Sequence, residues 1–107
     1  MKTKLLVSIN STEILYLENE KGILVPIAPI CIALGLDTSE QFYLIKNHET
    51  LCSFLTNEKI KHDNIEFKEV ACLPVKWVFG WLFTLRSEKT DNDMITIYNS
   101  FIDLVKL

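Results

Sequence analysis

Residues Cys72 to Leu85 read CLPVKWVFGWLFTL and place both tryptophans of the chain, with two phenylalanines, within seven positions. On a helical wheel at about 100° per residue, Lys76, Gly80 and Thr84 share one narrow face. Val75, Trp77, Val78, Phe79, Trp81, Leu82, Phe83 and Leu85 cover the rest. This apolar arc spans roughly 240°, against the roughly 100° stripe of a surface helix. The segment is therefore predicted to be a helix buried almost all round, with Pro74 at its first position. It is too short for a membrane span, which needs about 20 consecutive apolar residues, and Lys76 interrupts it. A second apolar run, Ile23 to Leu36, contains Pro26, Pro29 and Gly35 and is excluded on the same ground.

Such a helix needs a core around it. At 107 residues, with 49% hydrophobic, the chain supports a single domain (1–107) with a real core and lies outside the disordered class. Fourteen acids against eleven bases give a net charge of −3, and the bases, ten Lys and Arg86, are scattered. Phosphate neutralisation supplies most non-specific nucleic-acid affinity, so this balance counts against duplex DNA. Cys31, Cys52 and Cys72 form no C-x-x-C pair and have apolar neighbours, which reads as reduced core thiols in a cytosolic setting. The first ten residues, MKTKLLVSIN, meet Asn10, Ser11 and Glu13 before a signal-peptide core could form, so export is not expected.

Upstream, Leu5, Val7 and Ile9 alternate with their neighbours, Asn10 to Thr12 is turn-forming, and Ile14 to Leu17 follows, predicting a hairpin. Asn19 to Gly22 makes a second turn, and Ile23 to Val25 a short strand stopped by Pro26. A helix with Pro29 in its first turn ends at Gly35, which supplies the left-handed residue. Thr38 and Gln41 fit a capping box that starts a helix from Ser39 to about Asn47. The corner between them has helix-turn-helix spacing. A recognition helix needs basic and polar side chains, however, and Phe42, Tyr43, Leu44 and Ile45 leave only Lys46 and Gln41 to reach DNA.

Leu51 to Thr56 and Ile65 to Cys72 flank the polar link Asn57 to Asn64, predicting a second hairpin. The phase shift at Glu69 and Val70 marks a bulge or an early end of the strand. Thr90 or Asp91 caps an amphipathic last helix reaching Lys106, with Met94, Ile95, Ile97, Tyr98, Phe101, Ile102, Leu104 and Val105 on its apolar half. The expected fold class is α+β, small antiparallel hairpins packed with about four helices.

Catalytic chemistry is not predicted. His48, at a helix end, and His62, in the charged link, read as solvated. Three glycines form no phosphate-cradling loop, and the carboxylates mostly adjoin lysines. No enzyme, cofactor or metal site is expected. Trp81 and Leu82 read as core, Gly35 as a turn residue and Gly80 as a point of close approach by a neighbouring element. The surplus aromatic surface makes Trp77 and Phe83, with Phe42 and Tyr43, candidates for protein contact. Lys46, Lys59 and Lys61 are the phosphate contacts available to a DNA reading.

Two blocks, VPIAPICIALGLDTSEQ (Val25 to Gln41) and ACLPVKWVFGWLFTL (Ala71 to Leu85), between an opening hairpin and a closing helix, resemble the amino-terminal domain of phage antirepressor proteins, related to the Bro amino-terminal domain. The matching residues are Leu34, Gly35, Leu36, Asp37 and Gln41, then Cys72, Leu73, Pro74 and Val75, with Gly80, Trp81 and Leu82. The resemblance covers residues 5 to 105. It implies an α+β phage or prophage regulator in a bacterial host cytoplasm that lifts repression by binding a transcriptional repressor. A DNA-binding module of the Bro type and a phage structural or assembly protein are the alternatives, and self-association is expected under each. Where the family often has basic residues after the Gln, this chain has Phe42 and Tyr43. Activities of the second domain found in many members are not carried over.

Overall fold

The computed structural model describes residues 2–20, 22–62, 65–85 and 91–105. Strands β1 (Lys2–Ile9), β2 (Thr12–Asn19) and β3 (Gly22–Pro26) come first, then helices α1 (Ile27–Leu34) and α2 (Thr38–Lys46) and a 3-10 turn (Leu51–Ser53). β4 (Thr56–His62), β5 (Ile65–Pro74), α3 (Val75–Thr84) and α4 (Asp91–Val105) complete the α+β chain. The five strands form one antiparallel sheet in the order β1-β2-β3-β5-β4. β1 also lies against β4, so the outer strands curl towards one another.

The first hairpin closes through Asn10 and Ser11, both at positive φ (50° and 65°), the pair of left-handed residues that matches the twist of antiparallel strands. Asn10 also fixes the turn in the fold. Its Nδ2 donates to the Ala33 carbonyl at 2.8 Å and to Asp93 Oδ2 at 3.0 Å, joining the ends of three elements.

Alternation along the strands sorts the core into two layers. Ile14 of β2, Val25 of β3 and Leu73 of β5 face the helices, where Ile27, Ile30, Val78, Trp81, Ile97 and Phe101 pack on them. Leu17, Leu24, Ile60 and Cys72 gather into a second, smaller cluster. Full burial contributes about 1.5–3 kcal/mol for each large aliphatic or Phe side chain, so the helical layer supplies most of the stabilisation.

The second hairpin departs from expectation. Its first strand is β4, which after Thr56 runs through the segment expected to be a polar link, and Leu51–Ser53 is a 3-10 turn rather than strand. β4 lies at the sheet margin and, among its described side chains, buries only Ile60 and half-buries Thr56 and Glu58, so exposed lysines and an asparagine are compatible with pairing there. The bulge lies where the phase shift placed it. Glu58 pairs with Val70 but Ile60 with Phe67, so β5 carries one extra residue between them.

α3 is the expected core helix. Val75, Val78, Trp81 and Leu82 are buried, Trp77 and Phe79 half-buried, and Lys76, Gly80 and Thr84 exposed. Pro74 is its N-cap, one position earlier than predicted. A Cβ on Gly80 would meet nothing within 4 Å, so no described element approaches there and that expectation is corrected. α4 begins at Asp91 and buries Ile97 and Phe101, but Ile95, placed on the apolar half by sequence, is exposed. The alternative cap Thr90 and the terminal Lys106 lie outside the described residues.

Cys31 and Cys72 are buried free thiols. Cys52 is exposed on the 3-10 turn, because that short element turns only Leu51 inward, and it is not a core thiol. No helix among the described residues is long and apolar enough to cross a membrane.

Candidate protein-contact site

α1 stops at Gly35, whose φ of 71° is left-handed. The Gly35 N–H donates to Ile32 O at 3.2 Å and the Leu36 N–H to Cys31 O at 2.8 Å, the paired bonds of a Schellman end. One residue later Asp37 caps α2, its Oδ1 accepting from the Glu40 N–H at 2.9 Å. The capping pair is thus Asp37 and Glu40, one position before the Thr38 and Gln41 pair expected. Gln41 has another role: its Oε1 accepts from the buried Trp81 indole N–H at 3.1 Å.

That bond and buried Ile45 hold α2 inward, with Phe42 half-buried against the core. The face turned outward carries Glu40, Tyr43, Leu44 and Asn47, all exposed, at the i, i+3, i+4 and i+7 spacing of one helix face. Tyr43 is 65% exposed and Leu44 50%. Leu44 is not among the contacts expected from sequence: on a wheel it lies about 60° from Gln41 and about 100° from Tyr43, so the helix alone does not place it on an outward face.

Trp77 is half-buried and stacks on Phe54, ring centroids 4.2 Å apart and planes at 18°. Lys76 Nζ lies 5.6 Å from its ring centre. The Trp77 indole N–H is buried with no hydrogen-bond partner among the described residues. The side chain of Phe83 lies outside the described residues. Between α3 and α4, Phe79, Leu82, Met94, Ile95 and Tyr98 line an apolar hollow of about 160 Å³, its wall braced by the Phe79 ring 4.9 Å from that of Tyr98.

The lysines of the DNA reading sit on separate elements. Lys46 ends α2, while Lys59 and Lys61, all three exposed, alternate with buried Ile60 on marginal strand β4. His48 is exposed but not idle. Its Nδ1 accepts from the Thr50 and Leu51 N–H groups, both at 3.1 Å, and so shapes the approach to the 3-10 turn. The side chain of His62 lies outside the described residues. Among the described residues no group of three His, Cys, Asp or Glu could hold a metal ion. Burial raises the Cys31 thiol to about 11, partly opposed by a hydrogen bond with Thr38, and raises the Cys72 thiol to about 12, assisted by the nearby Glu58 charge.

The geometry thus provides exposed Tyr43 and Leu44 on a rigidly seated helix and, apart from them, an apolar hollow between α3 and α4. No curated protein and no solved structure matches the chain significantly. The family model of the P22_AR N-terminal domain matches residues 6–101, nearly the whole chain, which therefore belongs to this antirepressor N-terminal domain family.

Proposed function

We propose that the protein is a phage or prophage regulator that acts by direct contact with a transcriptional repressor, preventing that repressor from holding its operator. The observation that carries this reading is membership of the antirepressor N-terminal domain family, which is not a known enzyme family. Two features support it. The net charge of −3 suits a protein partner better than duplex DNA, and the exposed Tyr43 and Leu44 offer anchor groups of the kind that dominate the energy of protein interfaces. Trp77, Phe42 and Phe83 remain with Tyr43 in the proposed contact set. Self-association belongs to the same reading, and light scattering that returns a clean monomer removes that part of it.

The test is a mobility-shift assay with a repressor encoded beside this gene and its operator DNA. Added protein is expected to release the DNA and to co-purify with the repressor. An operator complex that withstands a large excess of protein contradicts the proposal. Direct binding to the operator at low salt, where charge attraction is greatest, would favour DNA contact by Lys46, Lys59 and Lys61 instead.

A further inference from the structure

α1 and α2 meet at a tight corner, the arrangement in which a DNA reader presents the first turn of its second helix to base edges and phosphates. Here that turn carries the opposite sign. Asp37 and Glu40 are both exposed there, and the described residues provide no hydrogen-bond or ion-pair partner for the Glu40 carboxylate. Asp37 is spoken for in part by its cap on α2, whereas Glu40 contributes only its backbone N–H to that cap. Directly below Glu40, at i+3 and i+4, stand the exposed Tyr43 and Leu44. Beneath them the helix is pinned by the Gln41–Trp81 bond and by buried Ile45, so little ordering remains to be done on binding.

We infer that this stripe of α2, acids at its head and Tyr43 and Leu44 along its length, docks on the basic operator-binding surface of the repressor. The inference rests on the repressor reading proposed above. Charge complementarity selects the occupant: an operator-binding surface is lined with Lys and Arg that pair with phosphates, and two carboxylates on an exposed helix end take the place of those phosphates. Tyr43 and Leu44 fill the apolar space between the basic side chains, as anchors of a helix laid in a groove. Binding there and binding to operator DNA exclude one another, which turns contact into release.

The experiment measures release of repressor from operator DNA by the intact chain and by three variants. These are Glu40→Lys, the pair Tyr43→Ser with Leu44→Ser, and Ile95→Ser in the hollow between α3 and α4. Each is first shown by circular dichroism to keep the wild-type fold, which substitutions at exposed positions should preserve. The Tyr43/Leu44 pair is expected to raise the amount needed for half-release by about tenfold or more, the scale of losing one hot-spot anchor. Glu40→Lys is expected to raise it severalfold at low salt and by less at high salt, since screening weakens the charge contribution. Ile95→Ser is expected to leave release unchanged. Folded α2 variants that release repressor as well as the wild type overturn the docking surface and leave the repressor reading standing, as does loss of release confined to Ile95→Ser. A wild type that releases nothing overturns both.

Discussion

Gln41 of α2 and Trp81 of α3 lie 40 positions apart in the chain and share a buried hydrogen bond, indole N–H to amide oxygen, at 3.1 Å. Gln41 is the one buried polar side chain of the described core, so this bond is what reconciles it with its surroundings. Gln41→Ala leaves the indole donor stranded away from water and is expected to cost about 1–3 kcal/mol of stability. Trp81→Phe strands the amide oxygen instead and also loses ring contacts. In urea unfolding, the two changes together should cost less than the sum of each alone, with a coupling of about 0.5–3 kcal/mol. Additive costs would mean that the bond contributes nothing.

Much of this fold is legible in the sequence, and the exceptions have a common physical origin. The wheel of Val75 to Leu85 identified the buried helix and its exposed line of Lys76, Gly80 and Thr84, because a nearly continuous apolar arc has one solution. β4 was misplaced because a marginal strand whose described side chains include just one fully buried, Ile60, carries little periodic signal, and its pairing comes from β5. The role of Gln41 was invisible because its partner is 40 residues away and a local capping pattern offered a nearer explanation. Tyr43 could be proposed as a contact from sequence, but Leu44 needed the structure to show which face of α2 Gln41 and Ile45 occupy.

The glycines of α1's end and of α3 should respond oppositely to alanine. Neither Cβ would meet an atom within 4 Å, so backbone conformation decides. At Gly35 the φ of 71° is left-handed, and Gly35→Ala is expected to destabilise by about 1 kcal/mol. Gly80 sits in regular helix, where Gly80→Ala should stabilise by about 0.8–1 kcal/mol through helix propensity alone. Thermal melts of the two variants should move in opposite directions.

The cap of α2 gives a second local test. Asp37→Ala removes the acceptor for the Glu40 N–H and should cost about 0.5–2 kcal/mol, whereas Asp37→Ser, which keeps an acceptor at the N-cap, should recover most of it. Equal losses for both variants in chemical denaturation would assign the effect to charge rather than to the capping bond.

Thiol chemistry separates the cysteines. In the folded protein a thiol reagent should modify Cys52 quickly and reach Cys31 and Cys72 only on unfolding. The pH dependence follows in sign. Burial raises the two core thiols from 9.0 to about 11 for Cys31 and about 12 for Cys72, so the unfolded chain releases its thiol protons first. Their contribution to stability is complete below pH 9.0 and declines as pH rises towards 11 to 12. Replacing both with Ala should flatten the alkaline fall in melting temperature relative to the wild type, whatever it does to stability at neutral pH.

The two tryptophans should differ in how they tolerate phenylalanine. Trp81 donates its indole N–H to Gln41, whereas the Trp77 N–H is buried without a partner among the described residues. An unmet buried donor costs about 1–3 kcal/mol, so removing it offsets much of the area lost on shortening the side chain. The ring that remains in Trp77→Phe can keep its stack on Phe54. Trp77→Phe is therefore expected to stay within about 1 kcal/mol of the wild type in urea unfolding followed by circular dichroism, while Trp81→Phe loses clearly more. The variant also isolates Trp81 as the single tryptophan, buried at 1% exposure, so its emission should lie to the blue and resist quenching by iodide. A large loss of stability in Trp77→Phe would show that its N–H has a bonding partner after all, and a red, readily quenched Trp81 would contradict the buried helix itself.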